Sequence, residues 1–511
     1  MHPSHFAIRT PDKVAARFVP SGESLTYAEL ESSANQGAHF FRSAGLNTGD
    51  TVALCLGNQQ AYLEAVWAAQ RAGLIFTVVS TRLSAPELAY IVNDCGAKLL
   101  VLSATLAGLA QELRAACPQL RDVYVAGQAP ASENSWERAI AQQAATPIAD
   151  PACGQEMMYS SGTTGRPKGV KKTRPAGAFD QANRFNAALV AGDKNVADRV
   201  YLSTAPLYHA APYRQLSVAL SYGATCIVMQ RFDAESALQY MEQYRVTHSQ
   251  WVPTMFYRLL RLPESSRMRY DLSSHAFASH GAAPCAIPLK QAMIDWWGPI
   301  LEEYYAGTES VGVCTISSHE WLAHQGSVGK SKSGKIVILD ALGQELACGE
   351  TGHIYFANSH AFEYLNDPAK TREATGPGGL QTFGDIGHLD AEGYLYITDR
   401  KSFTIVSGGV NIYPQEIENA LLSHPAVADA AVFGIPNEEF GEEVKAVVEL
   451  VEFAHAAPAL AQELIEFCRK TIGSLKSPRS LDFEEKLPRH DTGKLYKRFL
   501  RDKYLAAEKS A

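Results

Sequence analysis

Short apolar runs alternate with longer stretches of helical period along roughly the first three quarters of the chain. Residues 51–56 form a continuous apolar run typical of a buried strand, and residues 61–72 carry apolar side chains three and four positions apart, as a helix does. The alternation continues with strand-like runs at 99–102, 123–126, 200–203, 226–229 and 249–252, and with helix-like segments at 85–92 and 234–244. Strands separated by helix-length segments predict parallel pairing and a layered α/β fold.

The pattern changes after about residue 380, where short strands and turns dominate. The sequence predicts two strands paired across the polar segment 398–402, then a helix over 414–422 that opens with proline, and a further helix near 459–472. We therefore predict a large α/β domain over residues 1–398 with several subdomains, a hinge at 399–402, and a small, mobile α+β domain over 403–511.

Composition and charge narrow the class of protein. The chain has 511 residues, of which 46% are hydrophobic and 20% charged, so it is long enough for more than one core and is not a disordered or low-complexity protein. Its net charge of −8 disfavours nucleic acid as a partner. The nine cysteines show no CxxC pair, which indicates reduced thiols. With neither an apolar signal-peptide core nor an apolar window of about 18 residues, the sequence predicts a cytoplasmic protein without a transmembrane segment.

The most informative segment is YSSGTTGRPKGV at residues 159–170. Glycine, serine and threonine can present successive backbone N–H groups and hydroxyls to one anion, and Lys168 adds a positive charge. The spacing differs from that of the common P-loop, because Pro167 precedes the lysine and Gly169 follows it. From these residues alone, a phosphate-binding loop and a flexible surface turn both stay open.

Further motifs follow at regular intervals, and each has an ordinary structural interpretation when it is taken alone. HGAAP at 280–284 suits a tight turn, YYAGTE at 304–309 suits core packing, and FGD at 383–385 and TDRK at 398–401 suit a capped turn and an ion pair. SGG at 407–409 suits a β-turn, and the lysine of LPRHDTGK at 487–494 suits a solvated charge.

Together, and in this order with LTYAEL at 25–30 and APLYH at 205–209, these motifs resemble those of the adenylate-forming superfamily. That superfamily comprises acyl- and aryl-CoA synthetases, carrier-protein adenylation domains and beetle luciferases. The chain is most similar to the AMP-forming acyl-CoA synthetases. The resemblance implies an acid–thiol ligase that uses ATP, Mg²⁺ and CoA.

The resemblance also implies roles for individual residues. ATP phosphates would be held by the loop residues Ser160, Ser161, Gly162, Thr163, Thr164, Gly165 and Lys168. The adenine would lie against Gly281, Ala282, Ala283, Glu303, Tyr304 and Tyr305, with Tyr305 stacked on the purine and an acceptor near Glu303 for its amino group. Asp385 would accept the ribose hydroxyls, and Arg400 would pair with a phosphate or ribose oxygen. Thr308 would contact the α-phosphate, Glu309 would bind Mg²⁺, and Lys494 would bridge the acid and the α-phosphate.

In this superfamily the small domain rotates between the two half-reactions. The resemblance places the hinge at Lys401 and Ser402, and it places Ser407, Gly408 and Gly409 along the path of CoA after rotation. Three positions depart from the pattern that relatives often show: Ser402 replaces a charged hinge residue, Val410 replaces a frequent glutamate, and Ser310 replaces a glycine. We expect rotation to remain possible, and the equilibrium between the two conformations stays open.

The acid is predicted less directly than the nucleotide. The expected lining residues are small and mostly apolar: His209, Ala210, Ala211, Pro212, Gly281, Ala306, Val311 and Gly312. Residues 205–213 contain no carboxylate to pair with an amine, which disfavours an amino acid. We expect a bulky or long hydrophobic acid, either fatty, aromatic or polycyclic.

Two alternatives stay open beside the CoA ligase. One is an acyl-AMP ligase that loads the thiol of a carrier protein. The other is a non-catalytic nucleotide-binding protein on the same fold, which the presence of Lys494 and Glu309 disfavours. The oligomeric state is also open, and a homodimer is compatible with the sequence.

Overall fold

The chain divides into two units, each with its own dense internal contacts. In a computed structural model, residues 2–160, 167–173, 178–180, 196–357, 362–407, 410–489 and 495–508 are described. The first unit comprises residues 1–251, 258–279 and 361–371, and the second comprises 252–257, 280–360 and 372–511. The helix Pro253–Leu260, the strand Phe277–Gly281 and the helix Pro368–Glu373 therefore each contain a boundary between units.

The first unit contains a six-stranded sheet whose strands all run parallel. In spatial order the strands are Asn134–Ser135, Asp122–Ala126, Ala97–Ser103, Thr51–Cys55, Ile75–Val78 and Gln155–Glu156. All five residues of Thr51–Cys55 are buried, as a continuous apolar run in a parallel sheet requires. The connecting segments include the helices Gln60–Arg71, Ala85–Asp94, Ala110–Ala116 and Trp136–Ala141 and the 3₁₀ helix Ala104–Leu109.

A second sheet of the first unit contains, in spatial order, Ser24–Thr26, Val14–Val19, Thr225–Met229, Val200–Ser203 and His248–Trp251. Only the first two of these strands are antiparallel to each other. Its helices are Pro3–Arg9, Tyr27–Ser43, Ala210–Ser221, Ala234–Gln243 and Glu264–Arg267, with a 3₁₀ turn at Val196–Asp198. Phe18, Tyr27, Phe41, Tyr62 and Trp136 lie in one continuous apolar core. The alternation of strands and helices predicted for this part of the chain is confirmed.

A small antiparallel sheet completes the first unit. It contains Met158–Ser160, Lys168–Lys172 and Phe362–Tyr364, with Lys168–Lys172 in the centre. This sheet therefore contains the strands on either side of residues 161–166 and the distant strand Phe362–Tyr364.

The second unit is built mainly of antiparallel strands. Leu301–Ala306, Val313–Ser317 and Lys330–Ser333 pair in that order, and a four-stranded sheet contains Lys335–Leu339, Gly352–Ala357, Asp385–Leu389 and Leu395–Arg400. Its helices up to residue 400 are Ile287–Trp297 and Ser318–Ala323, with a 3₁₀ turn at Pro377–Gly379.

Beyond residue 400 the second unit continues as a mixed sheet with helices. The strands are Val410–Ile412, Ile405–Ser407, Gly441–Leu450 and Val427–Asn437 in spatial order, and Ser480–Phe483 adds parallel to Gly441–Leu450. The helices are Pro414–Leu422, Pro458–Ile472 and Lys497–Glu508, with 3₁₀ turns at Lys401–Phe403 and Phe453–His455. This arrangement agrees with the predicted α+β character, while the boundary at 399–402 stays a prediction.

One predicted pairing is wrong. The strand Leu395–Arg400 does not pair across residues 398–402; it pairs backwards with Asp385–Leu389. The turn between them is stabilised by Asp390, whose Oδ1 accepts hydrogen bonds from the backbone N–H groups of Glu392 and Tyr394, while Gly393 adopts φ +83°. In the part of the chain that is described, no helix is both long and apolar enough to cross a membrane.

Candidate active site

The described ends of the glycine-rich motif lie side by side. Ser160 and Lys168 are register partners in the small antiparallel sheet. Lys168 Nζ lies 3.2 Å from Asp367 Oδ2. Ser161, Gly162, Thr163, Thr164 and Gly165 lie outside the described residues, so their predicted roles stay predictions.

The HGAAP motif forms the end of a strand and the start of a loop, as predicted. Phe277–Gly281 is the strand, and Gly281 is buried. A Cβ added at Gly281 would lie 2.5 Å from the carbonyl oxygen of Tyr304 and 2.8 Å from the Tyr304 ring, so only glycine fits here. Ala282 follows with φ +68° and an exposed side chain, and Ala283 is half-buried. Gly281 is thus required by its packing against Tyr304, and the exposed part of the turn begins at Ala282.

Beneath this turn, Glu303 belongs to a buried charged cluster that the sequence did not reveal. Lys290 Nζ lies 2.7 Å from Glu303 Oε2, and His280 Nε2 lies 3.9 Å from the same oxygen. Neither ring nitrogen of His280 has a hydrogen-bond partner. Burial raises the pKa of Glu303, and the nearby Lys290 charge opposes that rise. Burial, with the Lys290 charge, lowers the pKa of His280 well below its usual value. The Glu303 carboxylate is therefore bound to a lysine, and its place near the adenine amino group stays a prediction.

Three residues predicted to bind the nucleoside come together in the second unit. The Tyr305 hydroxyl donates a hydrogen bond of 2.5 Å to Asp385 Oδ2, and Arg400 Nε lies 3.0 Å from Asp385 Oδ1. Burial and the Asp385 carboxylate raise the pKa of Tyr305 well above its usual value. Because Tyr305 and Arg400 hold the two oxygens of Asp385 in place, this carboxylate is oriented before any ligand arrives.

Thr308 and Glu309 lie three and four residues after Tyr305, just beyond the end of its strand. Both are half-buried, and a Cβ added at Gly307 would lie 2.7 Å from Glu309 Oε2 and 2.4 Å from the Phe383 ring. Ser310, which replaces the glycine frequent in relatives, adopts φ +57°. This left-handed conformation explains why a glycine suits the position. Among the described residues, no three His, Cys, Asp or Glu side chains group closely enough to hold a metal ion by themselves.

The predicted acyl-lining residues fall into two groups. His209 is the N-cap of the helix Ala210–Ser221, and Ala210, Ala211 and Pro212 form its first turn. Gly281, Ala306, Val311 and Gly312 belong to the second unit, where Val311 is buried. A Cβ added at Gly312 would lie 2.2 Å from the Phe356 ring. Val311 and Gly312 therefore pack into the protein interior, and the whole set stays a prediction.

The predicted hinge residues Lys401 and Ser402 are exposed and form a 3₁₀ turn with Phe403. Just before them, Asp399 Oδ2 accepts a hydrogen bond of 2.8 Å from the backbone N–H of Gln415, at the start of the helix Pro414–Leu422. Ser407 is buried at the end of its strand. Gly408, Gly409 and Lys494 lie outside the described residues.

Sequence reasoning missed the polar residues that support these motifs, notably Lys290 and Asp367. The burial of Lys290 could have been predicted, because it lies three and four positions before the buried Met293 and Ile294 on one helix and so shares their face. Asp367 gave no comparable signal, since aspartate before proline is common at the start of a helix.

Comparison with known proteins supports the motif assignment over nearly the whole chain. The sequence model of the family described as AMP-binding enzyme matches residues 4–364, and that of the AMP-binding enzyme C-terminal domain matches residues 416–494. The long-chain-fatty-acid–CoA ligase FadD13 of Mycobacterium tuberculosis is 32% identical over 94% of this chain and 93% of its own length. The 2-succinylbenzoate–CoA ligase of Bacillus licheniformis is 32% identical over 95% of this chain and 96% of its own length.

A solved structure of similar fold contains a reaction intermediate. The o-succinylbenzoate CoA synthetase MenE of Bacillus subtilis, in complex with the acyl-adenylate OSB-AMP, superposes with a TM-score of 0.81 at 28% identity, covering 98% of this chain and 97% of that one. The chain therefore belongs to the AMP-binding enzyme family, the adenylate-forming superfamily that its motifs resemble, and it is an AMP-forming acid–thiol ligase.

Proposed function

We propose that this chain activates a bulky or long hydrophobic carboxylic acid with ATP and transfers the acyl group to CoA. In the first half-reaction, a carboxylate oxygen attacks the α-phosphorus of ATP and pyrophosphate leaves. In the second, the CoA thiol attacks the acyl carbon, and AMP leaves with the carboxylate oxygen. The observation that carries the proposal is the oriented Asp385, which is held by Arg400 and by Tyr305. Tyr305 lies on the strand that leads to Thr308 and Glu309.

The residues act by placing charge and hydrogen bonds around this displacement. A free carboxylate is a poor acyl donor because its leaving group would be oxide, whereas AMP is a good leaving group. Asp385 accepts the ribose hydroxyls and fixes the nucleotide, while Lys168 neutralises phosphate charge. Lys494 reduces the repulsion between the acid and the α-phosphate as they approach.

Glu309 is the residue proposed to hold Mg²⁺. A half-buried carboxylate next to a hydroxyl suits this ion, because Mg²⁺ bound to ATP needs only one or two protein oxygens and completes its shell with water and phosphate. When bound, the ion neutralises charge on the phosphates and on the departing pyrophosphate. Thr308 contacts the α-phosphate beside it.

The acid class rests on the predicted lining and on the relatives. The first turn of the helix Ala210–Ser221 offers small residues and no carboxylate. Of the relatives named above, one is named as a ligase of long-chain fatty acids and the other as a ligase of 2-succinylbenzoate, an acid with an aromatic ring. A hydrophobic acid with a single reacting carboxylate is therefore the substrate class that we propose.

A panel of acids with pyrophosphate release as the readout tests this proposal. The panel contains acetate, an α-amino acid, medium and long fatty acids, cinnamic and benzoic acids and a steroid acid. We expect the highest kcat/KM with one of the large hydrophobic acids. Strict preference for acetate or the amino acid would refute the substrate class, and failure of every acid to release pyrophosphate would refute acid activation.

The acceptor is tested on the best acid of that panel. We expect CoA to accelerate AMP release and to yield the acyl-CoA thioester, detected by mass. A phosphopantetheinylated carrier protein in place of CoA is the comparison. Acylation of the carrier together with no turnover of free CoA would overturn CoA as the acceptor.

A further inference from the structure

Both described ends of the glycine-rich motif are held by aspartates that no motif contains. Tyr159 precedes the loop and Lys168 follows it. The Tyr159 hydroxyl donates a hydrogen bond of 2.5 Å to Asp94 Oδ2, and Lys168 Nζ lies 3.2 Å from Asp367 Oδ2. All four residues belong to the first unit.

Asp367 is itself fixed on both of its oxygens. Its Oδ1 accepts a hydrogen bond of 2.9 Å from the backbone N–H of Lys370, which caps the helix Pro368–Glu373, while Oδ2 faces Lys168. The cap and the lysine charge both lower the pKa of Asp367. Lys168 Nζ also lies 5.8 Å from the centre of the Tyr364 ring. A long, flexible lysine side chain is thus held by an anion and an aromatic face that come from one short segment.

Backbone pairing makes this arrangement rigid. Val170 is the register partner of Tyr364, and the backbone N–H of Leu365 donates a hydrogen bond of 2.8 Å to the Gly169 carbonyl. A Cβ added at Gly169 would lie 3.1 Å from the Tyr159 ring and 3.2 Å from Leu365 Cβ. The glycine after the lysine therefore allows the close approach that brings Asp367 within reach of Lys168.

Asp94 links the same segment to the other end of the loop. Asn366 Nδ2 donates hydrogen bonds of 3.1 Å to Asp94 Oδ1 and to the Asp94 carbonyl, while Tyr159 occupies Oδ2. Asn366 adopts φ +55°, a conformation that non-glycine residues rarely take. On the same helix as Asp94, the Tyr90 hydroxyl donates a hydrogen bond of 3.2 Å to the Pro167 carbonyl.

We propose that Asp367 and Asp94 are positioning residues for ATP, which act through Lys168 and Tyr159 to hold the two ends of the glycine-rich loop. Asp367 restricts the Lys168 ammonium to one place. The conformational entropy of the lysine side chain is therefore lost on folding and not when the polyphosphate binds. The assignment rests on the proposed use of ATP. It predicts that loss of the Asp367 charge weakens the binding of ATP, which has three phosphates, far more than the binding of AMP.

The substitution Asp367→Asn separates the two roles of this carboxylate. Asparagine keeps an oxygen to cap the helix at Lys370 but loses the charge that holds Lys168. The matched control is Asp50→Asn, which removes an aspartate that likewise pairs with a lysine, Lys98 at 2.6 Å, and accepts a backbone N–H, that of Asn47. Kd values for ATP and AMP are measured by calorimetry on the full chain, and unfolding by urea shows that each variant is folded.

We expect Asp367→Asn to weaken ATP binding about tenfold and AMP binding less than twofold, with Asp50→Asn unchanged for both. Unchanged or tighter ATP binding would overturn the proposal, because it would mean that Asp367 merely competes with phosphate. Equal weakening of ATP and AMP would also overturn it, by showing a general structural effect. A wild-type enzyme that binds ATP but activates no acid would contradict the proposed function. The role of Asp367 would still be decided in that case, because it is tested by the Kd values for ATP and AMP and not by activity.

A double-mutant cycle tests Asp94 in the same assay. Asp94→Asn and Tyr159→Phe each remove one side of the same hydrogen bond, so we expect each to weaken ATP binding about threefold and the double variant to do no more. Additive effects of the two substitutions would show that Asp94 does not act through Tyr159 and would overturn this part of the proposal.

Discussion

Lys290 and Glu303 form an ion pair that is closed off from solvent, with 2.7 Å between Nζ and Oε2 and side-chain exposures of 0% and 8%. Lys290 Nζ also lies 4.8 Å from the centre of the Trp321 ring. Such a pair gains little over apolar residues of the same shape, but removing one partner leaves a buried charge without compensation. The strand that carries Tyr305 therefore depends on both charges being present.

The substitution Lys290→Met should destabilise the second unit by about 3–5 kcal/mol, because Glu303 would then lack its cation. Unfolding in guanidinium chloride, followed by tryptophan fluorescence, measures this loss. The pair of Lys98 and Asp50 gives the control, because its side chains are more exposed, at 36% and 17%, and Lys98→Met should cost about 1 kcal/mol. The interpretation fails if the two substitutions cost the same.

His280 should make the protein less stable in mild acid. Its pKa in the folded state lies well below the usual 6.5, because it is buried beside Lys290. Below pH 6.5 the unfolded chain binds a proton that the folded chain excludes, so stability falls as the pH drops from 6.5 toward the folded pKa, by up to about 1.4 kcal/mol per pH unit. The free energy of unfolding, measured in urea between pH 7 and pH 5, should depend less steeply on pH for His280→Leu than for the wild type. The same change at the exposed His319 should leave the slope unaltered, and equal slopes for wild type and His280→Leu would contradict the prediction.

The sequence predicts elements better than it predicts their partners. The helix at 414–422 begins and ends as expected, because its proline start and apolar period are local signals. For the strand Leu395–Arg400, the sequence indicates a strand before residue 398 but gives it the wrong neighbour, since the apolar pattern of a strand does not encode which other strand it pairs with. The turn residues Asp390 and Gly393 carried the information that would have corrected this pairing.

The same limit applies to the site. Tyr305, Asp385 and Arg400 were predicted from motifs, and the structure brings them together. Lys290 and Asp367 were missed, because their roles depend on residues that become neighbours only in the folded chain. Motifs therefore recover the residues proposed to bind the ligand, while the polar residues that hold their side chains in place require the fold.

Tyr305→Phe should raise the KM for ATP about tenfold with little change in kcat. The ring stays, so any stacking on the adenine is kept, but the hydrogen bond that orients Asp385 is lost, and a bond to a charged group contributes about 1.5 kcal/mol or more. Steady-state kinetics of pyrophosphate release at saturating acid measure the effect. Tyr27→Phe removes another buried hydroxyl, one bonded to the carbonyls of Leu220 and Ala224, and should leave the KM for ATP unchanged. A KM unaffected by Tyr305→Phe would argue against Asp385 as the ribose acceptor.

Ser310→Gly should stabilise the protein by about 1 kcal/mol. Ser310 has φ +57°, where a Cβ is strained and glycine is not. The gain should appear as a higher Tm and a higher urea midpoint. Ser33→Gly, inside the helix Tyr27–Ser43, should change stability in the opposite direction, because glycine there adds freedom to the unfolded chain. It also removes the hydrogen bond of 2.7 Å that the Ser33 hydroxyl donates to the Glu29 carbonyl. A loss of stability in Ser310→Gly would show that the serine hydroxyl outweighs the backbone strain.

Lys494→Ala should separate the two half-reactions. If Lys494 offsets the charge between the acid and the α-phosphate, its loss should reduce adenylation from the free acid by about 10²–10³-fold, the range seen when one group that stabilises a transition-state charge is removed. Thioester formation from preformed acyl-adenylate and CoA should change less than about threefold, because no bond to phosphorus forms in that step. Rapid-quench measurements of each half-reaction provide the two rates.

The exposed Lys486 lies on the same segment and supplies the control, since Lys486→Ala removes an equal charge without the motif context. We expect both half-reactions of that variant to match the wild type. Equal loss of adenylation and thioester formation in Lys494→Ala would indicate a role common to both steps, such as holding AMP, and would contradict a lysine that serves only the first. A selective loss would instead agree with a lysine that serves the first step alone, as expected if it leaves the site by the rotation about Lys401 and Ser402 that the resemblance predicts.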